Sequence, residues 1–168
     1  SKEALEEQFF QGKEDKMDAV VILAYHKEEK KLVAIKQFRV PLNNYVYELP
    51  AGLIDNNDDI ISTVERELKE ETGLTLTSYK LRGLVTFISD KCEPELMCVF
   101  TANEYIGELT ECNEGELYWI DKAVVPTLPT WEGDRVFLDL LLSGDERFFS
   151  LKLQYEGEKL VDKQVNLY

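Results

Sequence analysis

Apolar positions alternate or run together in short blocks along most of the chain. Residues 18–25 (DAVVILAY) and 32–39 (LVAIKQFR) are rich in Val and Ile and are separated by the charged stretch HKEEK. That pattern predicts two strands joined as a hairpin. Residues 45–49 (YVYEL) predict a third strand that stops at Pro50. The period then changes: Ile60, Ile61, Val64 and Leu68 recur at helical spacing, with Asn57, Asp58 and Asp59 as capping candidates and Gly73 placed to end the helix. A helix over about 58–72 follows. Residues 79–88, 96–102 and 116–120 return to strand patterning. A second helix is expected over 132–143, where Val136, Phe137, Leu140 and Leu141 share a face, and the stretch FFSLKLQYEGEKLVD predicts a hairpin turning at Glu156-Gly157. Residues 3–10 read as a short helix or an extended arm. Strands on both sides of the first helix imply an α/β or α+β arrangement, a mixed sheet with helices packed on it.

The chain has 168 residues, 44% hydrophobic and 31% charged, without repeats or a Pro/Gly/Ser-rich linker. One domain spanning 1–168, with residues 1–16 as an N-terminal arm or short helix, is the expectation. No apolar run reaches the ~18 residues of a membrane span, and the first residues do not follow a signal-peptide pattern. Cys92, Cys98 and Cys112 form no C-x-x-C pair. They read as reduced cysteines of a cytoplasmic protein, Cys98 as a buried strand residue, with neither disulfides nor zinc expected. His26, the single histidine, falls at a turn and reads as solvated. The formal net charge of −14 argues against nucleic-acid binding, which needs basic patches. A small anionic substrate would need local positive charge, most simply from a divalent cation.

The first helix carries Arg66, Glu67, Glu70 and Glu71. Residues three and four apart on a helix are neighbours, so Glu67 stands beside both later glutamates. All three fall at the edge of the apolar stripe. Such like-charge pairs destabilise a helix by ~0.2–0.5 kcal/mol each in water. Either Arg66 and Lys69 soften a solvated acidic face, or a hard cation such as Mg²⁺ uses the oxygens.

The wider segment runs Gly52, five residues, Asp58, seven residues, then Arg66-Glu67-Leu68-Lys69-Glu70-Glu71-Thr72-Gly73-Leu74. It resembles the box of the Nudix hydrolases, G-x5-E-x7-R-E-U-x-E-E-x-G-U with U a bulky aliphatic, at every fixed position except Asp58, where the family has Glu. The resemblance implies an α/β/α sandwich: a mixed β-sheet between helices. It also implies catalytic roles for Arg66, Glu67, Glu70 and Glu71. Mg²⁺ or Mn²⁺ would be held by the three glutamates and a backbone carbonyl near Ala51 or Gly52. Arg66 would orient a glutamate, and a carboxylate would activate water. Candidates for that base are Glu71, Glu70, Glu93, Glu95, Glu114 and Glu116.

Two substrate readings compete. Gln37-Phe38-Arg39 and the stretch Glu48 to Asp55 look like ADP-ribose and ADP-sugar pyrophosphatases, in which Arg39 would contact the diphosphate and Glu48 the substrate or an arginine. Glu93-Pro94-Glu95, Glu114-Gly115-Glu116, Trp131-Glu132-Gly133-Asp134 and Phe148-Phe149 resemble purine nucleoside triphosphatases that sanitise oxidised guanine nucleotides. There Trp131 would stack on the base and Asp134 would accept from its edge. The sequence favours ADP-ribose narrowly. A non-catalytic nucleotide-binding module is the reading from another class. The partner expected is a small-molecule nucleotide, with neither nucleic acid nor membrane, and the resemblance allows a homodimer.

Overall fold

The computed structural model describes residues 17–55 and 57–168. The helix or arm expected over 3–10 therefore lies outside the described residues. The elements are β1 (Ala19–His26), β2 (Lys31–Arg39), β3 (Asn44–Glu48), β4 (Ala51–Leu53), α1 (Ile60–Thr72), β5 (Thr75–Ser89), β6 (Glu95–Ile106), β7 (Glu116–Asp121), α2 (Glu132–Leu142), β8 (Phe149–Glu156) and β9 (Lys159–Leu167).

The main sheet runs β4-β1-β6-β5-β8-β9. It is mixed: β1/β6 and β5/β8 are parallel, and the other pairs are antiparallel. β1 continues into β2 through a hairpin whose paired part is short, Tyr25 opposite Leu32 and His26 opposite Lys31. β2 then carries β3 on one edge and β7 on the other.

Strand alternation divides the core in two. Val20, Ile22 and Ala24 of β1 join Val64 and Leu68 of α1 on one face, with Leu84, Cys98 and Phe100. Val21 and Leu23 face the other way, onto Phe137, Leu138 and Leu141 of α2, with Val85, Val99, Leu151 and Leu153. β1 reads as an unbroken apolar run because both of its faces are covered. The α/β sandwich expected from the sequence is the one observed.

Several boundaries differ from the sequence reading. α1 starts at Ile60, two residues late, because Asp59 is its cap and accepts a hydrogen bond from Ser62 N–H. β4 is an extra short strand beyond Pro50. β5 begins at Thr75 rather than 79, since register shifts between Leu76 and Gly83 break its alternation. β9 continues to Leu167. His26 is half-buried rather than solvated: its Nδ1 accepts from Glu29 N–H at 3.1 Å and its ring stands edge-on to Trp119. Cys98 is buried, as expected.

Candidate active site

α1 delivers its carboxylates to the β1/β4 edge. Its stripe of Val64, Leu68, Glu71 and Thr72 is fully buried, so Glu71 lies inside the packed face rather than at its edge. A buried carboxylate needs donors. The Ala51 N–H supplies one at 3.1 Å. Register explains why that N–H is free to do so. Ile22 N–H bonds Pro50 O, and Ile54 N–H bonds Asp18 O. Ala51, opposite Val21, therefore occupies a non-hydrogen-bonded position of the ladder. Its N–H and C=O both point away from β1, toward the helix acids, which suits the metal-ligand role expected of a carbonyl near Ala51.

Glu67 packs directly on Gly52. A Cβ on Gly52 would lie 2.1 Å from Glu67 Cδ and 2.4 Å from Cγ. Arg66 reaches Glu67 Oε1 at 3.4 Å and Asp55 Oδ2 at 3.8 Å, and its closest ion pair is with Asp58. The residue that departs from the family pattern thus tethers the box arginine, while Asp59 does the capping. Glu70 is exposed on the next turn.

A fourth acid joins them. Glu114, on the loop before β7, lies within hydrogen-bonding reach of Glu71 and takes a 3.4 Å hydrogen bond from Gln37 Nε2. Burial pushes the Glu71 carboxyl up to about 8, and Glu114 and Glu67 add to the shift against the Ala51 hydrogen bond. Glu67 is also raised, first by burial, with Arg66 opposing and Glu70 and Glu114 reinforcing. The cluster is short of positive charge, and its donors are hard oxygens, the ligand chemistry that suits Mg²⁺ or Mn²⁺. Among the described residues no three His, Cys, Asp or Glu side chains already stand in metal-binding geometry; convergence of Glu67, Glu70, Glu71 and the Ala51 carbonyl requires side-chain rotation.

The substrate candidates gather elsewhere, at the N-terminal end of α2. A pocket of about 360 Å³ is lined by Glu48, Glu95, Trp131 and Asp134, with Phe87, Met97 and Tyr155 among its apolar walls. Residues from the two competing sequence readings thus share one cavity. Asp134 is half-buried, and its carboxyl is pushed up to about 7, by burial first and then by Glu48, with Arg39 opposing. Tyr155 Oη accepts from Gly133 N–H at 2.5 Å, which seats the first turn of α2 over β8. Arg39 is held by Glu48 through two hydrogen bonds, 2.7 Å from Nε and 2.8 Å from Nη2. Glu48 is therefore an arginine partner as well as a pocket residue. Arg39 also feels both Glu114 and Asp134, so the pair stands between the acid cluster and the pocket. A broader groove of about 1270 Å³ shares Glu95 and Cys92 with this pocket. Among the described residues its charged lining is acidic, including Asp18, Asp55, Asp58 and Glu93.

Residues 15–141 match the NUDIX domain family. The chain belongs to the Nudix hydrolase family. An uncharacterized Nudix hydrolase of Bacillus subtilis is 34% identical over 100 residues, which are 56% of this chain and 63% of that protein. An ADP-ribose pyrophosphatase of the same organism is 38% identical over 101 residues, 58% of this chain and 53% of that protein. The chain thus spans between half and two thirds of the length of these relatives. In structure it is similar to a MutT protein from Bacillus halodurans, with a TM-score of 0.79 and 23% identity over 88% of this chain and 96% of that one. That likeness shows a shared Nudix fold. Among the described residues no helix is long and apolar enough to cross a membrane.

Of the Nudix residues expected from the sequence, the structure brings together Ala51, Glu67 and Glu71, with Glu70 exposed beside them and Arg66 behind. Glu93 lines the acidic groove, and Glu116 pairs with the Tyr118 hydroxyl on the surface. Gln37 was missed as a site residue, and so were Phe87, Met97 and Tyr155. Each lies on a strand, where only the fold reveals that Gln37 meets Glu114 and that the other three face the pocket.

Proposed function

We propose that this Nudix domain is a Mg²⁺-dependent hydrolase that cleaves a diphosphate bond in a purine nucleotide. The observation that carries the proposal is the shared pocket of Trp131, Asp134, Glu95 and Glu48 at the start of α2, linked to Glu114 of the acid cluster through Arg39. An indole offers a stacking face for a purine, and carboxylates accept from donors on the base edge. Mg²⁺, when bound, would neutralise phosphate charge and lower the pKa of a water. Glu67, Glu70, Glu71 and the Ala51 carbonyl would hold it. Arg66 positions Glu67. Glu71 and Glu114, within hydrogen-bonding reach of one another, are the carboxylates to which this reading gives the proton from the attacking water.

Two substrates fit this chemistry. The named relative supports ADP-ribose, cleaved to AMP and ribose phosphate. The pocket favours the second reading, a purine nucleoside triphosphate releasing pyrophosphate. Its carboxylates suit a base edge rich in N–H donors, as in guanine. The arginine that the ADP-ribose reading needs for the diphosphate is already engaged by Glu48.

A substrate panel with Mg²⁺ tests this: ADP-ribose, ADP-glucose, dinucleoside polyphosphates, dGTP and oxidised dGTP, each against Glu70→Gln. We expect turnover of a purine nucleotide, lowered by about 10²–10⁴-fold in Glu70→Gln, with Trp131→Ala raising KM selectively for the preferred base. Pyrophosphate release from a triphosphate would select the pocket-based reading, and AMP from ADP-ribose the other. No turnover of any compound would leave a nucleotide-binding module and sink the proposal.

A further inference from the structure

A further cavity lies at the carboxyl end of α2, a helix of 11 residues and so roughly 16 Å long at 1.5 Å per residue, opposite the end that borders the Trp131 pocket. It measures about 180 Å³ and is lined by Arg82, Thr101, Asn103, Lys27 and Lys122 against apolar walls such as Leu141. Arg82 is only 8% exposed and Thr101 only 4%. Arg82 Nη2 donates to the Asp145 carbonyl at 2.9 Å, but its Nε and the Thr101 hydroxyl are buried without a hydrogen-bond partner.

The charges around this cavity are unusual for a chain of net charge −14. Among the described residues three cations line it against one carboxylate, Glu146, which is drawn to Lys80 at 3.5 Å. The nearby Asp145 carboxylate is hydrogen-bonded by Arg147 and feels Arg82 only at longer range, outside ion-pair contact. Among the described residues neither Arg82, Lys27 nor Lys122 forms an ion pair with an acid. A buried guanidinium normally has a carboxylate or phosphate partner. A water in the cavity would leave the guanidinium without a contact counter-ion. The carboxyl end of α2 disfavours an anion, with roughly half a unit charge, which three full cations outweigh.

We infer that this cavity is a binding site for a small tetrahedral oxyanion of the phosphate class, held by Arg82, Lys27 and Lys122 with Thr101 and Asn103 supplying neutral hydrogen bonds. Its volume admits several waters at roughly 30 Å³ each, enough for an oxyanion and small for a whole nucleotide. It is separate from the hydrolytic site, and the inference does not depend on the proposed activity.

The test titrates inorganic phosphate into the full chain in EDTA, at constant ionic strength set with chloride, with AMP as a parallel arm. The readouts are the Arg82 Nε–H resonance and Tm. We expect a saturable shift of that resonance and a Tm rise of about 2–4 °C. The Lys27→Gln/Lys122→Gln double variant, at two positions outside the core, should weaken binding by about tenfold or more. Glu71→Gln should titrate like the parent. AMP binding through the same residues would assign the oxyanion to a nucleotide phosphoryl group, and phosphate alone to the free ion. An unmoved Arg82 resonance would mean water only. An unchanged affinity in the double variant, or loss of the response in Glu71→Gln, would overturn the site.

Discussion

Gly52 and Glu67 share a space that admits only one of them and a hydrogen atom. The glycine has no unusual backbone angle, so its reason for being glycine is the Glu67 side chain lying across it. Alanine there would meet the movable end of a side chain rather than backbone. Gly52→Ala should therefore change stability by less than about 1 kcal/mol. It should nonetheless lower turnover by about 10²-fold if Glu67 has the metal-holding role proposed for it, because a functional group shifted by an ångström loses that much. Denaturant unfolding and steady-state kinetics of the same preparation separate the two effects; equal losses in both would refute this assignment of Gly52. The pattern G-x5 marked the residue in the sequence, but nothing in the chain's order revealed that Glu67 is what excludes a larger side chain.

At the level of elements, both helices present acids at points where charge is hard to accommodate. α1 begins on Asp59, whose carboxylate accepts from Ser62 N–H at 2.7 Å. Asp59→Ala should cost about 1 kcal/mol, seen as a Tm lower by about 2–4 °C, while Asp58→Ala should instead release Arg66 and reduce activity. α2 begins under the pocket with Asp134, whose folded pKa of about 7 lies far above the ~3.9 of a free aspartate. Between those values the folded chain holds a proton that the unfolded chain has lost. Stability from this group is therefore present at low pH and declines as pH rises from about 4 to 7. Asp134→Asn should flatten that part of the profile and gain relative to the parent at pH 8. Chemical denaturation at pH 5.5 and 8 measures it, and parallel pH profiles for the two proteins would remove Asp134 as the cause.

Across the whole molecule, the acid cluster concentrates like-charge repulsion within a chain of net charge −14. A divalent cation that binds the folded cluster alone would stabilise the fold by mass action. Mg²⁺ should raise Tm beyond the rise given by NaCl of equal ionic strength, and Glu67→Gln should remove the excess. Equal responses in parent and variant would point to general screening instead.

The sequence by itself determined the family, the mixed α/β class and the acids of α1. Those properties are local: a helical period, a cap, a terminal glycine and charges at i, i+3 and i+4 all lie within 23 residues of chain. It also placed β1, β2, both helices and the β8–β9 turn, where apolar periodicity is strong. β4 escaped it because three residues beyond a proline carry no period, and the start of β5 because bulges erase alternation. The tertiary structure alone decided how distant pieces meet. Strand register turned the Ala51 backbone toward Glu71, brought Glu114 and Gln37 to the same carboxylate, and closed Glu48, Glu95, Trp131 and Asp134 around one cavity. These groupings gather residues as much as 86 positions apart, from Glu48 to Asp134. Only the packing of both helices on opposite faces of one sheet sets such distances, and with them which acids are buried and which cations stand unpaired.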